Sequence, residues 1–345
     1  VPAQRAKLAQ ALALETARAV FDVKGSHPPA AVEDGFDPSR PGHVPYRVGL
    51  ADEDGVRLVI ERAHAALRSL TRESAEARAT RLLAVADTLR ANRTSLTAAI
   101  VLDVGKPPAE ADAEVSEAID FAEYYARALL DLTRDPTLRN EPRGVVLVAS
   151  PWNFPLSIAC GGVCAALAAG NTVVLKPAPE APYVGRKLAE ALWSAGFDPL
   201  VQLLLARDEA ASIAIDPALV DAVVLTGSTA TARAFRKRAP SLHLIAETGG
   251  KNAIFVSATA DREAAIRDVV RSAFSFAGQK CSAASLLLLE REVYEDDAFR
   301  ERLLDAAASL PVKAAWDEDA EITPLIRPPE GPLREALLGT PEGAI

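Results

Sequence analysis

The sequence contains no methionine and only three cysteines, Cys160, Cys164 and Cys281, in 345 residues. An odd count without regular spacing gives no disulfide framework and points to a reducing compartment, the cytoplasm. The four histidines, His27, His43, His64 and His243, are scattered without ligand spacing, so no metal site is expected. A net charge of −9 leaves no basic surface for nucleic acid and disfavours an anionic membrane. The most apolar stretch, residues 154–170, is broken by Pro155 and a Gly pair and reads as a buried helix rather than a membrane span. No secretory signal opens the chain, which begins with an apolar helix over 8–20. The missing initiator methionine implies that residues have been dropped from a longer chain. No Gly-x-Gly-x-x-Gly fingerprint follows a strand, so the ordinary dinucleotide motif is absent.

What is present is a globular composition, 49% hydrophobic and 25% charged, long enough to bury a large core and divide into two domains. Residues 26–46 are rich in Pro, Gly and His and read as a loop with one short strand. From 52 to 130 the apolar spacing is helical. It breaks at Gly105-Lys106-Pro107-Pro108, where proline excludes a continuous helix. A polar stretch, 132–143, carries two prolines and separates this part from the next. Strands are then expected at 145–149, 172–175, 201–205, 222–225 and 242–246, with helices at 156–169, 183–194, 208–215 and 228–237. Such alternation predicts a parallel sheet covered on both faces. Ligands of such sheets bind beyond the carboxyl ends of the strands.

The residues that carry chemistry fall at those ends. Asn153 lies in Pro151-Trp152-Asn153-Phe154-Pro155, and Lys176, Gly227-Ser228 and Glu247 each follow the apolar part of a strand. Cys281 lies between an apolar helix and a strand at 285–289, a junction where helix-terminus amides would ease its ionisation. Simple burial is the alternative for any lone cysteine. Gly227-Ser228 can hold a phosphate at a positive helix end, or Ser228 can be a plain N-cap. Lys176 is either a solvated strand end or a cation for ribose or phosphate. Cys160 and Cys164, one helical turn apart among Ala and Gly, read as packing rather than as a metal or redox pair. The charged runs 290–292 and 295–297 read as solvated turns and helix starts.

Pro151-Trp152-Asn153-Phe154-Pro155, Leu175-Lys176-Pro177, Thr226-Gly227-Ser228-Thr229, Glu247-Thr248-Gly249-Gly250-Lys251 and Gly278-Gln279-Lys280-Cys281 stand in the order found in aldehyde dehydrogenases. From about residue 36 to its end the chain resembles that superfamily. Within it, three further segments resemble the glutamate-semialdehyde (1-pyrroline-5-carboxylate) dehydrogenases: Glu114-Val115-Ser116-Glu117-Ala118-Ile119-Asp120-Phe121 with Tyr124-Tyr125, Ala159-Cys160-Gly161-Gly162, and Gly278 to Ala283. Such enzymes occur alone and as the second half of bifunctional proline utilization A proteins. The implied fold is α/β. An N-terminal helix and linker (1–35) would precede a Rossmann-type NAD(P)-binding domain with a parallel sheet (36–246), in which 132–144 is an oligomerisation or linker excursion. Residues 247–345 would form only the N-terminal part of an α/β catalytic domain.

The resemblance also implies roles. Cys281 would attack the aldehyde as a thiolate. Asn153 and the Cys281 N–H would bind the oxyanion. Glu247 would activate the hydrolytic water as general base, a task that favours a partly buried carboxylate. Lys176 would lie near the adenosine ribose, Gly227 and Ser228 on the pyrophosphate, and Trp152, Thr248 and Gly249 near the nicotinamide. Many relatives carry a glutamate three residues after the lysine; here Pro179 stands there and Glu180 follows, which leaves NAD against NADP open, with NAD favoured by the subfamily. Glu117, Phe154, Lys280 and Ser282 would contact the substrate, the alternatives being a solvated helix face for Glu117 and core packing for Phe154. The expected reaction is NAD(P)-dependent oxidation of L-glutamate γ-semialdehyde to L-glutamate in proline catabolism, by a homo-oligomer that a proline dehydrogenase domain can precede. Another small semialdehyde, or a non-catalytic binding module of the same fold, are the alternatives.

Overall fold

The computed structural model describes residues 2–70, 73–317 and 319–339. The chain opens with α1 (Pro2–Ala17), β1 (Phe21–Val23), β2 (Ala31–Asp34) and β3 (Tyr46–Leu50), then α2 (Glu53–Leu70), α3 (Ala75–Ala91), α4 (Arg93–Val104) and α5 (Pro108–Arg134). An alternating run follows: β4 (Val145–Ala149), α6 (Ser157–Ala168), β5 (Thr172–Lys176), α7 (Pro182–Leu192), β6 (Val201–Leu203), α8 (Asp208–Ala211), β7 (Ala222–Gly227), α9 (Thr229–Arg238) and β8 (His243–Thr248). Last come β9 (Asn252–Val256), α10 (Arg262–Phe274), β10 (Ala284–Leu289), α11 (Arg291–Tyr294), α12 (Asp297–Ala308) and α13 (Gly331–Leu338).

The elements follow from local chemistry. Val145 to Val148 are all buried, as expected for a strand covered on both faces. Ser74, Asp261 and Asp296 each accept a first-turn N–H and start α3, α10 and α12. The expected break at Gly105 is real: Gly105 ends α4 at φ 68°, a left-handed cap that suits glycine, and Pro108 opens α5.

Strands β4 to β8 form one parallel sheet in the order β6-β5-β4-β7-β8. The order reverses between β4 and β7, so a crevice opens past their carboxyl ends, and Ser150–Asn153 and Gly227–Ser228 flank it. One core lies on the face covered by α3, α5, α6 and α7, and a second beneath α2 on the other face. Gly162 lets α6 lie close on β4, because a Cβ there would come within 2.9 Å of Val148. Strands β1, β3 and β2 form a small sheet. Strands β9 and β10 pair in parallel, and with α10 and α12 they enclose a third core around Val256, Ile266 and Phe299.

Several boundaries differ from expectation. The first helix stops at Ala17, and β1 follows directly. Two strands, β2 and the start of β3, occupy what reads as one loop with a single strand. Helix α5 runs on to Arg134, into the polar stretch. The third parallel strand stops at Leu203, two residues short. Among the described residues, no helix is long and apolar enough to cross a membrane.

Asp103 ties three of these elements together. It is fully buried in α4, accepts a hydrogen bond from Tyr46 Oη on β3, and accepts the Val184 N–H of α7 at 2.8 Å. Burial pushes its carboxyl from 3.8 up to about 7, against the opposing pull of those hydrogen bonds. A carboxyl raised in the folded state stabilises it when protonated; that contribution is complete below the ordinary value and is lost as pH rises through about 7. Chemical denaturation of wild type and Asp103→Asn across that window should therefore show wild type losing more stability with rising pH. Parallel profiles would exclude this role for Asp103.

Candidate active site

Strand β4 delivers its residues to the carboxyl edge of the sheet, and the chain leaves it through Pro151-Trp152-Asn153-Phe154-Pro155 before α6 begins. What fixes this turn is a buried ion pair below it. Lys106 Nζ lies 2.6 Å from Glu114 Oε2, and both side chains are fully buried. Lys106 also donates to the Asn153 backbone carbonyl at 2.8 Å, and its ammonium sits 3.6 Å from the centroid of the Phe154 ring. Glu114 Oε1 accepts the Leu156 and Ser157 N–H groups at 2.8 and 3.2 Å, at the start of α6. Burial pushes the Glu114 carboxyl up, opposed by Lys106 and these N–H groups. Each charge thus has several partners, the condition for burying an ion pair without a large net penalty.

The turn is joined to the cysteine segment. Asn153 Nδ2 donates to the Gln279 carbonyl at 2.9 Å. Gln279 is pinned in turn, its Oε1 accepting the Ile326 N–H at 2.9 Å. Upstream, Phe276 and Ala277 adopt φ 53° and 54°, and Gly278 adopts 70°. Two non-glycine residues in this region cost on the order of 1–3 kcal/mol each. The fully buried Phe276 ring, 6.2 Å from Trp152 in an edge-on contact, helps hold the conformation. Beyond the thiol, Asn252 Nδ2 donates to the Cys281 and Ala283 carbonyls at 2.7 and 3.0 Å. Lys280 Nζ meets Glu110 at the start of α5, at 3.0 Å.

Cys281 is exposed, whereas Cys160 and Cys164 are buried with their sulfurs 3.7 Å apart. The hydrogen bond shared with Cys160, together with burial, pushes the Cys164 thiol well up, the state of a packed cysteine. One expectation for Cys281 needs correction. It lies beyond the C-terminus of α10, separated from Phe274 by the left-handed residues, so the nearest helix end presents carbonyls and no free amides. Glu247 lies inside β8 with an exposed side chain, so the described residues do not supply the partial burial that a general base favours.

The remaining residues are placed as follows. Lys176, at the end of β5, meets Asp208 at the start of α8 at 2.8 Å. Ser228 caps α9, its Oγ accepting the Thr231 N–H at 3.0 Å, which is the plain-cap reading; the hydroxyl remains exposed at the crevice. Thr248 and Gly249 are exposed past β8, and Trp152 and Phe154 are half-buried. Ser282 is exposed beside Cys281, and Glu117 is exposed on α5. The structure brings Asn153, Trp152, Phe154 and the cysteine segment into one connected site. Among the described residues Glu247 is linked to it along the chain, through the turn that leads to Asn252.

Sequence reasoning gave Lys106, Glu114, Gln279 and Asn252 no role. Lys106 reads as part of a helix break and Glu114 as one polar residue of an amphipathic helix. The available signal is that Glu114 shares the helix face of the buried Ala111, Val115 and Ala118. Lys106→Ala should cost about 3–5 kcal/mol of unfolding free energy, because it leaves the buried Glu114 carboxylate without its counter-charge. The Lys106→Met, Glu114→Gln double variant should lose less than the sum of the single changes in denaturant titration. Additive losses would mean that the two side chains act independently.

Comparison with known proteins places this geometry. The model of the aldehyde dehydrogenase family matches residues 30–331. The chain is 36% identical over 280 residues to 1-pyrroline-5-carboxylate dehydrogenase of Geobacillus kaustophilus, covering 75% of this chain and 54% of that protein. It is 34% identical over 311 residues to the protein of the same name from Anoxybacillus flavithermus, covering 84% of this chain and 60% of the relative. Among solved structures, proline utilization A from Bdellovibrio bacteriovorus superposes with a TM-score of 0.89 at 33% identity, over 95% of this chain and 36% of that one. A Thermus 1-pyrroline-5-carboxylate dehydrogenase with bound NAD superposes with a TM-score of 0.87 at 33% identity, over 94% and 67%. The chain spans little more than half the length of these curated relatives. With the parallel sheet, the ordered motifs and a family match along most of its length, the chain belongs to the aldehyde dehydrogenase family.

Proposed function

We propose that the protein oxidises an aldehyde to a carboxylic acid with NAD, through a thioester on Cys281, and that its substrate is L-glutamate γ-semialdehyde. The observation that carries this reading is the hydrogen bond from the Asn153 amide to the Gln279 carbonyl, which holds the loop of the exposed thiol against the turn at the sheet's carboxyl edge. The names of the relatives support the substrate, and the similarity to a proline utilization A protein supports a place in proline catabolism.

Residues 36–246 serve as the nucleotide-binding part and 247–345 as part of the catalytic domain, with 132–144 as an oligomer contact. The cradle suits a dinucleotide. Ser228 takes only the Thr231 N–H of the first turn of α9, which leaves those of Thr229 and Ala230 for an anion. A Cβ at Gly249 would meet nothing within 4 Å, so the chain there leaves room for a ring. Lys176 would hold the adenosine ribose, Gly227 and Ser228 the pyrophosphate, and Trp152, Thr248 and Gly249 the nicotinamide end.

In the reaction, the Cys281 thiolate bonds to the carbonyl carbon, and the carbonyl π electrons move onto oxygen. One N–H of the Asn153 amide and the Cys281 N–H meet that oxyanion. NAD, its nicotinamide end held by Trp152, Thr248 and Gly249, would supply the acceptor for the hydride that leaves this carbon as the C=O bond re-forms. Glu247 then takes a proton from water as the water oxygen bonds to the thioester carbon. The C–S bond breaks, which returns Cys281 as thiolate and releases the acid. Lys280, Ser282, Phe154 and Glu117 shape the substrate's pocket.

In the full-length protein, Cys281→Ala should abolish NADH formation with glutamate semialdehyde. Asn153→Ala should lower kcat about 10²–10³-fold with little change in KM. Glu247→Gln should give a burst of NADH followed by slow turnover, because acylation outpaces hydrolysis. Turnover that survives Cys281→Ala would overturn the thiol mechanism.

A further inference from the structure

We infer that Asp208 is the carboxylate that meets the adenosine ribose hydroxyls and turns away a 2′-phosphate, making the protein selective for NAD over NADP. The inference rests on the dinucleotide-binding reading above.

Strands β5 and β6 are neighbours in the sheet, and their carboxyl ends carry Lys176 and, a few residues on, Asp208. Lys176 Nζ lies 2.8 Å from Asp208 Oδ1; the lysine side chain is 12% exposed and the aspartate 79%. The lysine assigned to the ribose is therefore already neutralised by a carboxylate standing in solvent. Among the described residues Asp208 Oδ2 has no protein partner, so it is free to accept a hydroxyl.

The other groups nearby cannot serve. Pro179 has no polar side chain. The Glu180 carboxylate is engaged by Arg327 at 3.0 Å and is only 17% exposed. Arg207 is the one cation adjacent in sequence that could welcome a phosphate. Its guanidinium is bound in a bidentate pair to Glu33, at 2.6 and 2.7 Å. Glu209, next along, adds a second exposed negative charge whose field also reaches Arg207. A 2′-phosphate brought to Lys176 would face a cation already paired and the negative charges of Asp208 and Glu209, whereas a ribose hydroxyl would find an acceptor in Asp208 Oδ2.

The test is direct binding of NADH and NADPH to the full-length protein, followed by quenching of tryptophan fluorescence, with kcat/KM for both nucleotides alongside. Wild type should favour NADH by about tenfold or more, the size of one like-charge contact near a surface. Asp208→Asn keeps the shape and removes the charge; it should tighten NADPH binding, weaken NADH binding, and so shrink the preference by about the same factor. Glu209→Gln should leave the preference in place. An unchanged preference in Asp208→Asn, an equal shift in Glu209→Gln, or a wild type without preference would each overturn the inference. Selective binding without aldehyde turnover would refute the proposed reaction while leaving Asp208 supported. Binding of neither nucleotide would remove both.

Discussion

The buried pair of Lys106 and Glu114 is the constraint from which the site is built. Moving two charges out of water costs several kcal/mol each, and the pair survives because every direction is used. The ammonium meets a carboxylate, a backbone carbonyl and an aromatic face. The carboxylate meets the ammonium and two N–H groups at the start of α6. The same set of contacts therefore fastens the break between α4 and α5 to the turn after β4. Through the Asn153 amide it reaches the loop that carries Cys281, whose Phe276 ring packs against the same turn.

A second lysine–carboxylate pair shows how burial changes the meaning of one contact. Lys176 and Asp208 are as close as a normal ion pair, yet the aspartate stands in solvent. Exposed pairs of this kind contribute about 0–1 kcal/mol to stability. Little is lost when a ligand competes for such a carboxylate, so it suits recognition; the buried pair cannot be approached and suits positioning.

The strained run before Cys281 belongs to the same logic. Left-handed backbone at Phe276 and Ala277 persists because Phe276 is fully buried and Gln279 is held on both sides of its side chain. Nothing in the residue types Phe and Ala announces that conformation. The helix end that composition suggested near the thiol turned out to present carbonyls, since α10 points its C-terminus toward the loop.

Much was legible from residue types alone. The alternating apolar runs located five parallel strands; β4, β5 and β6 are buried on both faces and mostly Val or Leu, while the edge strand β8 is largely exposed, and the break between α4 and α5 followed from proline's missing N–H. The ordered motifs placed Asn153, Lys176, Ser228 and Glu247 at strand ends or just past them, and Cys281 in the loop between α10 and β10. Tertiary structure decided everything that depends on which side chains meet. Lys106 and Glu114 became partners because two helices and a turn converge there, Asp103 was raised by burial that no local pattern encodes, and Asp208 reached Lys176 because β5 and β6 lie side by side. Periodicity in a sequence records which face of an element is apolar; contact, burial and charge pairing are properties of the folded space between elements.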